Sequence, residues 1–124
     1  MKILIIEDEK HVAGLLADAV RLQGHDAIVA VDGQEGLALV ERERPDAVFL
    51  DIVMPTPNGI EVLRRIRERR QELPVVIISG GASAEEIEEA ERLGVTDFVE
   101  KPLMLNQLTQ AITALQKSGD QEGR

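Results

Sequence analysis

The sequence predicts a doubly wound α/β fold, and three observations predict it. Five short β-rich apolar runs alternate with five segments of helical period. The runs are near-continuous in apolar residues, as strands are when helices cover both faces of a parallel sheet. No internal repeat or linker breaks the alternation along 124 residues, a length that suits one domain with one full hydrophobic core.

The five candidate strands, in order, are residues 2–6, 27–31, 47–50, 75–78 and 96–99. The first helix follows the first strand and carries Val12, Leu15, Leu16, Ala19 and Leu22 at the spacing of a one-sided stripe, stopping at Gly24. The second spans 33–43 with Leu37, Leu39 and Val40, and Pro45 blocks its continuation. The third spans 59–70 with Ile60, Leu63 and Ile66 inside; its five arginines, Arg64, Arg65, Arg67, Arg69 and Arg70, read as a solvated flank. The fourth opens on a capping-box pattern, Ser83 with Glu86 three residues later, and has a thin apolar face of Ile87, Ala90 and Leu93. That thin face marks it as the most weakly anchored helix. The last, near 105–116, presents Leu105, Leu108, Ile112 and Leu115 without an evident cap. Residues 1–117 are therefore the expected domain, and the polar, glycine-bearing segment 118–124 a tail or linker stub.

Composition excludes several functions. Acids number 23 against 14 bases, a formal charge of −9, which disfavours the clustered cationic surface that nucleic-acid backbones require. Phe49 and Phe98 are the only aromatics, too few for a base-stacking platform. Cysteine is absent, so there is neither a disulfide framework nor a thiolate metal site. The apolar run Ile3 to Ile6 is too short for a signal peptide or a membrane span, and a cytoplasmic protein without membrane contact is the expectation.

In an open α/β sheet the site lies beyond the C-terminal strand ends. Those ends deliver Glu7 and Asp8 from the first strand, Asp51 from the third, Ser79 from the fourth and Lys101 from the fifth. Asp51 needs an account, because it closes the apolar run Ala47 to Leu50 and a charge left unpaired there costs several kcal/mol. Three crowded carboxylates repel, and an all-oxygen set suits magnesium, Mg²⁺, which binds through carboxylates, waters and phosphate oxygens. With an ammonium and a hydroxyl beside it, the set has the parts of a phosphoryl-transfer site around a carboxylate nucleophile. Neither GxxxxGK[ST] nor GxGxxG is present, and Asp51-Ile52-Val53 lacks the second aspartate of a DxD phosphatase pattern.

These residues resemble the receiver domain of two-component response regulators. The resemblance covers about residues 2–117 and rests on four stretches in order: Ile5-Ile6-Glu7-Asp8-Glu9, Leu50-Asp51 through Met54-Pro55 with Gly59, Ile78-Ser79-Gly80, and Phe98-Val99-Glu100-Lys101-Pro102. It implies the flavodoxin-like strand order 2-1-3-4-5. It also implies that Asp51 accepts a phosphoryl group from a sensor histidine kinase or histidine phosphotransfer protein, as a switch and not a turnover enzyme. By the same resemblance Asp8 and Asp51 ligate Mg²⁺, Glu7 does so directly or through water, and the Val53 carbonyl adds a ligand. Lys101 pairs with the phosphoryl group, Ser79 rotates to hydrogen-bond it, Phe98 is the switch aromatic, and the bond before Pro102 is cis. Val53 stands where a side chain can orient water, and its apolar nature implies slow loss of the phosphoryl group. The implied readout surface is the fourth helix, fifth strand and fifth helix, used for a downstream target, an effector domain or a homodimer formed on phosphorylation. The competing reading is a degenerate receiver that serves as a phosphorylation-independent interaction module; a pure scaffold has no use for Asp8, Asp51, Ser79 and Lys101 together.

Overall fold

The computed structural model describes residues 1–55 and 57–122, with side chains described to residue 117. Ten elements alternate: β1 (Lys2–Ile6), α1 (Lys10–Leu22), β2 (Asp26–Ala30), α2 (Gly33–Glu43), β3 (Ala47–Asp51), α3 (Gly59–Arg69), β4 (Val75–Ser79), α4 (Ala84–Arg92), β5 (Asp97–Glu100) and α5 (Leu105–Glu122). All strand pairs are parallel and the order is β2-β1-β3-β4-β5, the doubly wound arrangement.

Apolar continuity along a strand follows from burial on both faces. β3 and β4 are buried at every residue, whereas the edge strands β2 and β5 are only partly covered. Successive side chains alternate between two cores. Leu4, Ile6, Leu50 and Ile77 face Leu39, Leu63 and Ile66 of α2 and α3. Ile3, Ile5, Phe49 and Ile78 face Leu16, Val20, Leu108 and Ile112 of α1 and α5.

Helix boundaries follow local chemistry. Asp32, Asn58 and Ser83 accept the backbone N–H of Glu35, Glu61 and Glu86 at the starts of α2, α3 and α4, and Ser83 with Glu86 completes the expected capping box. Helix α5 runs to Glu122, past the expected end near residue 116. The tail expected over 118–124 falls where side chains are not described, and its last two residues lie outside the described residues altogether.

Two sequence expectations change. The stripe read along α1 is wider than the arc that the sheet covers: Leu16 and Ala19 are buried, but Leu15 and Leu22 are exposed, as is Leu105 at the start of α5. Those three border a shallow apolar groove between α1 and α5. The arginines of α3 are not all a solvated flank. Half-buried Arg67 donates to the carbonyls of Leu93 at 2.6 Å, Leu73 at 2.8 Å, Arg70 at 3.0 Å and Gly94 at 3.2 Å. Arg70 likewise donates to the Pro45 carbonyl at 2.7 Å. Helix α4 has Ala90 as its one buried residue, consistent with its thin apolar face; the Arg64–Glu89 ion pair ties it to α3, and Arg67 holds the turn that follows it.

A carboxylate pit at the sheet's switch point

Chain direction across the sheet reverses between β1 and β3, which puts the topological switch point between their C-terminal ends. Their register pairs Ile6 with Leu50, so Glu7 and Asp51 come next on adjacent strands. Within the pit, Glu7, Asp8 and Asp51 each offer a carboxylate oxygen, all within 4.8 Å of one another. Glu7 is wholly buried and Asp51 is 1 % exposed, while Asp8 faces solvent.

Backbone donors fix two of the three. Asp51 Oδ1 accepts the Val53 N–H at 3.0 Å, and Glu7 Oε2 accepts the Glu9 N–H at 3.1 Å. The other oxygens face Lys101, whose Nζ lies 3.0 Å from Glu7 Oε1, 3.3 Å from Glu9 Oε1 and 3.4 Å from Asp51 Oδ2. The Glu7 contact is an ion pair outside hydrogen-bonding angles, which leaves Glu7 Oε1 buried without a hydrogen-bond partner.

One ammonium does not neutralise this much negative charge. Burial, with Asp51 alongside, pushes the Glu7 carboxyl up to about 7. Burial also raises Asp51, against the downward pull of its contacts with Glu7, the Val53 N–H and Lys101. For Lys101 burial works to lower the pKa, but Glu7, Asp51 and Glu9 outweigh it and the net shift is upward. The pit is a buried, electron-rich oxygen cluster short of positive charge.

Two glycines set its walls. A Cβ on Gly59 would lie 2.3 Å from Ile52 Cα and 2.4 Å from the Asp51 carbonyl oxygen, so only glycine lets α3 start this close to the end of β3. A Cβ on Gly80 would lie 3.0 Å from Lys101 Cδ, so Gly80 is the floor along which the lysine stem runs.

Glu7, Asp8, Asp51, Ser79 and Lys101 lie at this edge, whereas Phe98 sits opposite Ile77, midway along the strands. Ser79 is the last residue of β4; its Oγ accepts the Ala82 N–H at 3.1 Å. Phe98 in β5 is half-buried against the α2–α3–α4 core. The Lys101–Pro102 bond is cis, and Val53 is 50 % exposed. Sequence reasoning gave Glu9 no role beyond its motif, and no sequence signal shows its contact with Lys101. His11 is exposed at the start of α1. Beside the pit an open cleft of about 750 Å³ is bordered by Glu9, His11, Ser79, Gly80, Lys101 and Ile87; Asp51 does not line it.

Comparison with known proteins gives a consistent result. The family model "Response regulator receiver domain" matches residues 3–113. The response regulator MprA of Mycobacterium leprae is 35% identical over 115 residues, 93% of this chain and 50% of that protein. The transcriptional regulatory protein PrrA of Mycobacterium bovis is 32% identical over 114 residues, 92% of this chain and 49% of that protein. The chain thus spans about half the length of the curated relatives it matches. Among solved structures, NtrX from Brucella abortus in complex with ATP superposes with a TM-score of 0.87 at 34% identity, covering 98% of this chain and 28% of NtrX. A CheY-like receiver domain protein from Methanospirillum hungatei reaches a TM-score of 0.90 at 24% identity over 97% of both chains, a likeness of fold.

Proposed function

The chain belongs to the response regulator receiver domain family, and from that premise we propose that it is a phosphorylation switch whose acceptor is Asp51. The observation that carries the reading is the pit itself: a buried Asp51 beside Glu7 and Asp8, with the Lys101 ammonium 3.4 Å from its Oδ2. A fold-bearing scaffold gains no stability from such crowding, since each buried, underpaired carboxylate costs free energy.

A hard divalent cation fits the donors present. All are oxygens, Glu7 Oε1 lacks a hydrogen-bond partner, and burial holds the Glu7 proton up to about 7 for want of positive charge. Asp8 and Asp51 would hold Mg²⁺, with Glu7 directly or through water and the Val53 carbonyl as a further oxygen. Bound there, Mg²⁺ supplies positive charge against the charge on the phosphoryl oxygens.

The chain's own residues do the rest. A carboxylate oxygen of Asp51 bonds to phosphorus as the P–N bond of a donor phosphohistidine breaks, and that bond's electron pair stays on the imidazole nitrogen. Lys101 then pairs with the phosphoryl oxygens. Ser79 exchanges its bond with the Ala82 N–H for one to the phosphoryl group, which draws the β4–α4 loop inward and gives Phe98 room to turn. The weak anchorage of α4, with Ala90 its one buried residue, supports α4, β5 and α5 as the surface that changes. A sensor histidine kinase or phosphotransfer protein is the donor, and a downstream target, effector domain or second copy reads the result. Among the described residues no helix is long and apolar enough to cross a membrane; a cytoplasmic place and no nucleic-acid contact through this acidic chain complete the reading.

Incubation with Mg²⁺ and acetyl phosphate, followed by intact-mass measurement, tests this. A single added phosphoryl group, lost with Asp51→Asn or a chelator, is the expected result. No gain from acetyl phosphate or from a phosphohistidine donor, with the fold intact, would favour the phosphorylation-independent module.

A further inference from the structure

Glu9 stands at the N-cap of α1, yet its side chain makes no capping bond to that helix, which also has no acid in its first turn. Folding back on the helix start would satisfy an N–H and favour the dipole. The carboxylate instead reaches Lys101 Nζ at 3.3 Å, a partner 92 residues away. Lys101 is thus shared: Glu7 and Asp51 draw it into the pit, and Glu9, 63 % exposed, draws it toward solvent. Its stem is guided along Gly80, so the ammonium head is the part free to choose among them. Glu9 also borders the open cleft that Ser79 and Lys101 line.

We propose that Glu9 is a positioning residue that holds the Lys101 ammonium outward and slows phosphorylation of Asp51 by anionic donors. The proposal rests on Asp51 being the acceptor. Two effects have the same sign. Glu9 competes with an incoming phosphoryl group for the one ammonium of the pit, and its carboxylate at the rim repels a donor that brings negative charge. The contact is solvent-exposed, so its removal changes the rate roughly two- to fivefold and not by orders of magnitude.

The test uses the full chain, wild type and Glu9→Gln, each also carrying Lys101→Met. Initial rates of phosphoryl gain from acetyl phosphate with Mg²⁺ are followed by intact mass, at low and high salt. Alongside, the Lys101 Cε–Hε resonances are recorded without metal or donor. Glu9→Gln is expected to react roughly two- to fivefold faster at low salt, with less advantage at high salt and a smaller one in the Lys101→Met background, where only the repulsion of the donor is relieved. The Lys101 resonances are expected to move in metal-free Glu9→Gln. An unchanged or slower rate overturns the proposal, as does an equal gain when Lys101 is Met. Failure of the underlying reading looks different: no variant gains a phosphoryl group, although the Lys101 resonances still move.

Discussion

Gly59→Ala is the sharpest test of how the fold shapes the pit. A Cβ at 59 would stand 2.3 Å from Ile52 Cα and 2.4 Å from the Asp51 carbonyl oxygen, where non-bonded carbon contacts ordinarily lie at about 3.5–4.0 Å. The shortfall exceeds an ångström, and both partners are backbone, so no side chain can swing away. Either the first turn of α3 lifts, breaking the Gly59 N–H to Ile52 carbonyl bond of 3.1 Å, or the segment carrying Asp51 shifts. Overpacking of this kind costs about 3 kcal/mol, against a helix-propensity gain of about 1 kcal/mol for Ala over Gly. A net loss of about 2 kcal/mol is expected, roughly 8 °C in Tm for a domain of this size. Gly14→Ala in the exposed middle of α1, where a Cβ meets nothing within 4 Å, is the control; it should gain about 0.5–1 kcal/mol. The chain has no Trp or Tyr, so urea unfolding is followed by far-UV circular dichroism. A Gly59→Ala stability within about 0.5 kcal/mol of wild type, or Gly14→Ala falling below Gly59→Ala, would refute the reasoning.

Three further outcomes follow from the same geometry. Because the folded Glu7 pKa is raised to about 7 from 4.5, the metal-free native state holds a proton that the unfolded chain releases; this group's stabilising effect is complete below about 4.5 and is lost as pH rises through about 7. Urea unfolding in chelator should show that loss, Glu7→Gln should lack it, and calorimetric Mg²⁺ affinity of the wild type should weaken below pH 7 as the proton competes. Lys101→Met leaves Glu7 and Asp51 without their cation and should cost on the order of 3 kcal/mol in chelator at neutral pH, part of it recovered by adding Asp51→Asn; no recovery in the double variant would contradict the charge account. Arg67→Ala frees the carbonyls of Leu73, Leu93 and Gly94 and should cost roughly 2–3 kcal/mol, with faster amide exchange around Gly94 and no rescue by Lys, which lacks the planar fork.

How far the sequence reached depends on the range of each signal. Strand runs such as Val75 to Ile78 and caps such as Ser83 with Glu86 are local, and the structure places them within a residue or two. The pit was legible because parallel strands all end on one edge, so residues far apart in sequence, Glu7, Asp51 and Lys101, meet by topology alone. The exposure of Leu15 and Leu22 was not, since spacing gives a helix face but not how much of it a neighbour covers. Contacts set by side-chain reach were equally hidden. Arg67 looks like any arginine on a polar flank until the loops ending α4 and α3 arrive beneath it. Glu9 looks like one more acid of its motif until Lys101 comes within 3.3 Å.

The central claim is that Asp51 is the acceptor, and localisation of the phosphoryl group tests it most directly. The chain is treated with acetyl phosphate and Mg²⁺, the acyl phosphate is trapped by borohydride reduction, and the modified residue is read by tandem mass spectrometry. Modification at Asp51 alone is the predicted result; modification at Glu7, Asp8 or elsewhere with Asp51 untouched would contradict it.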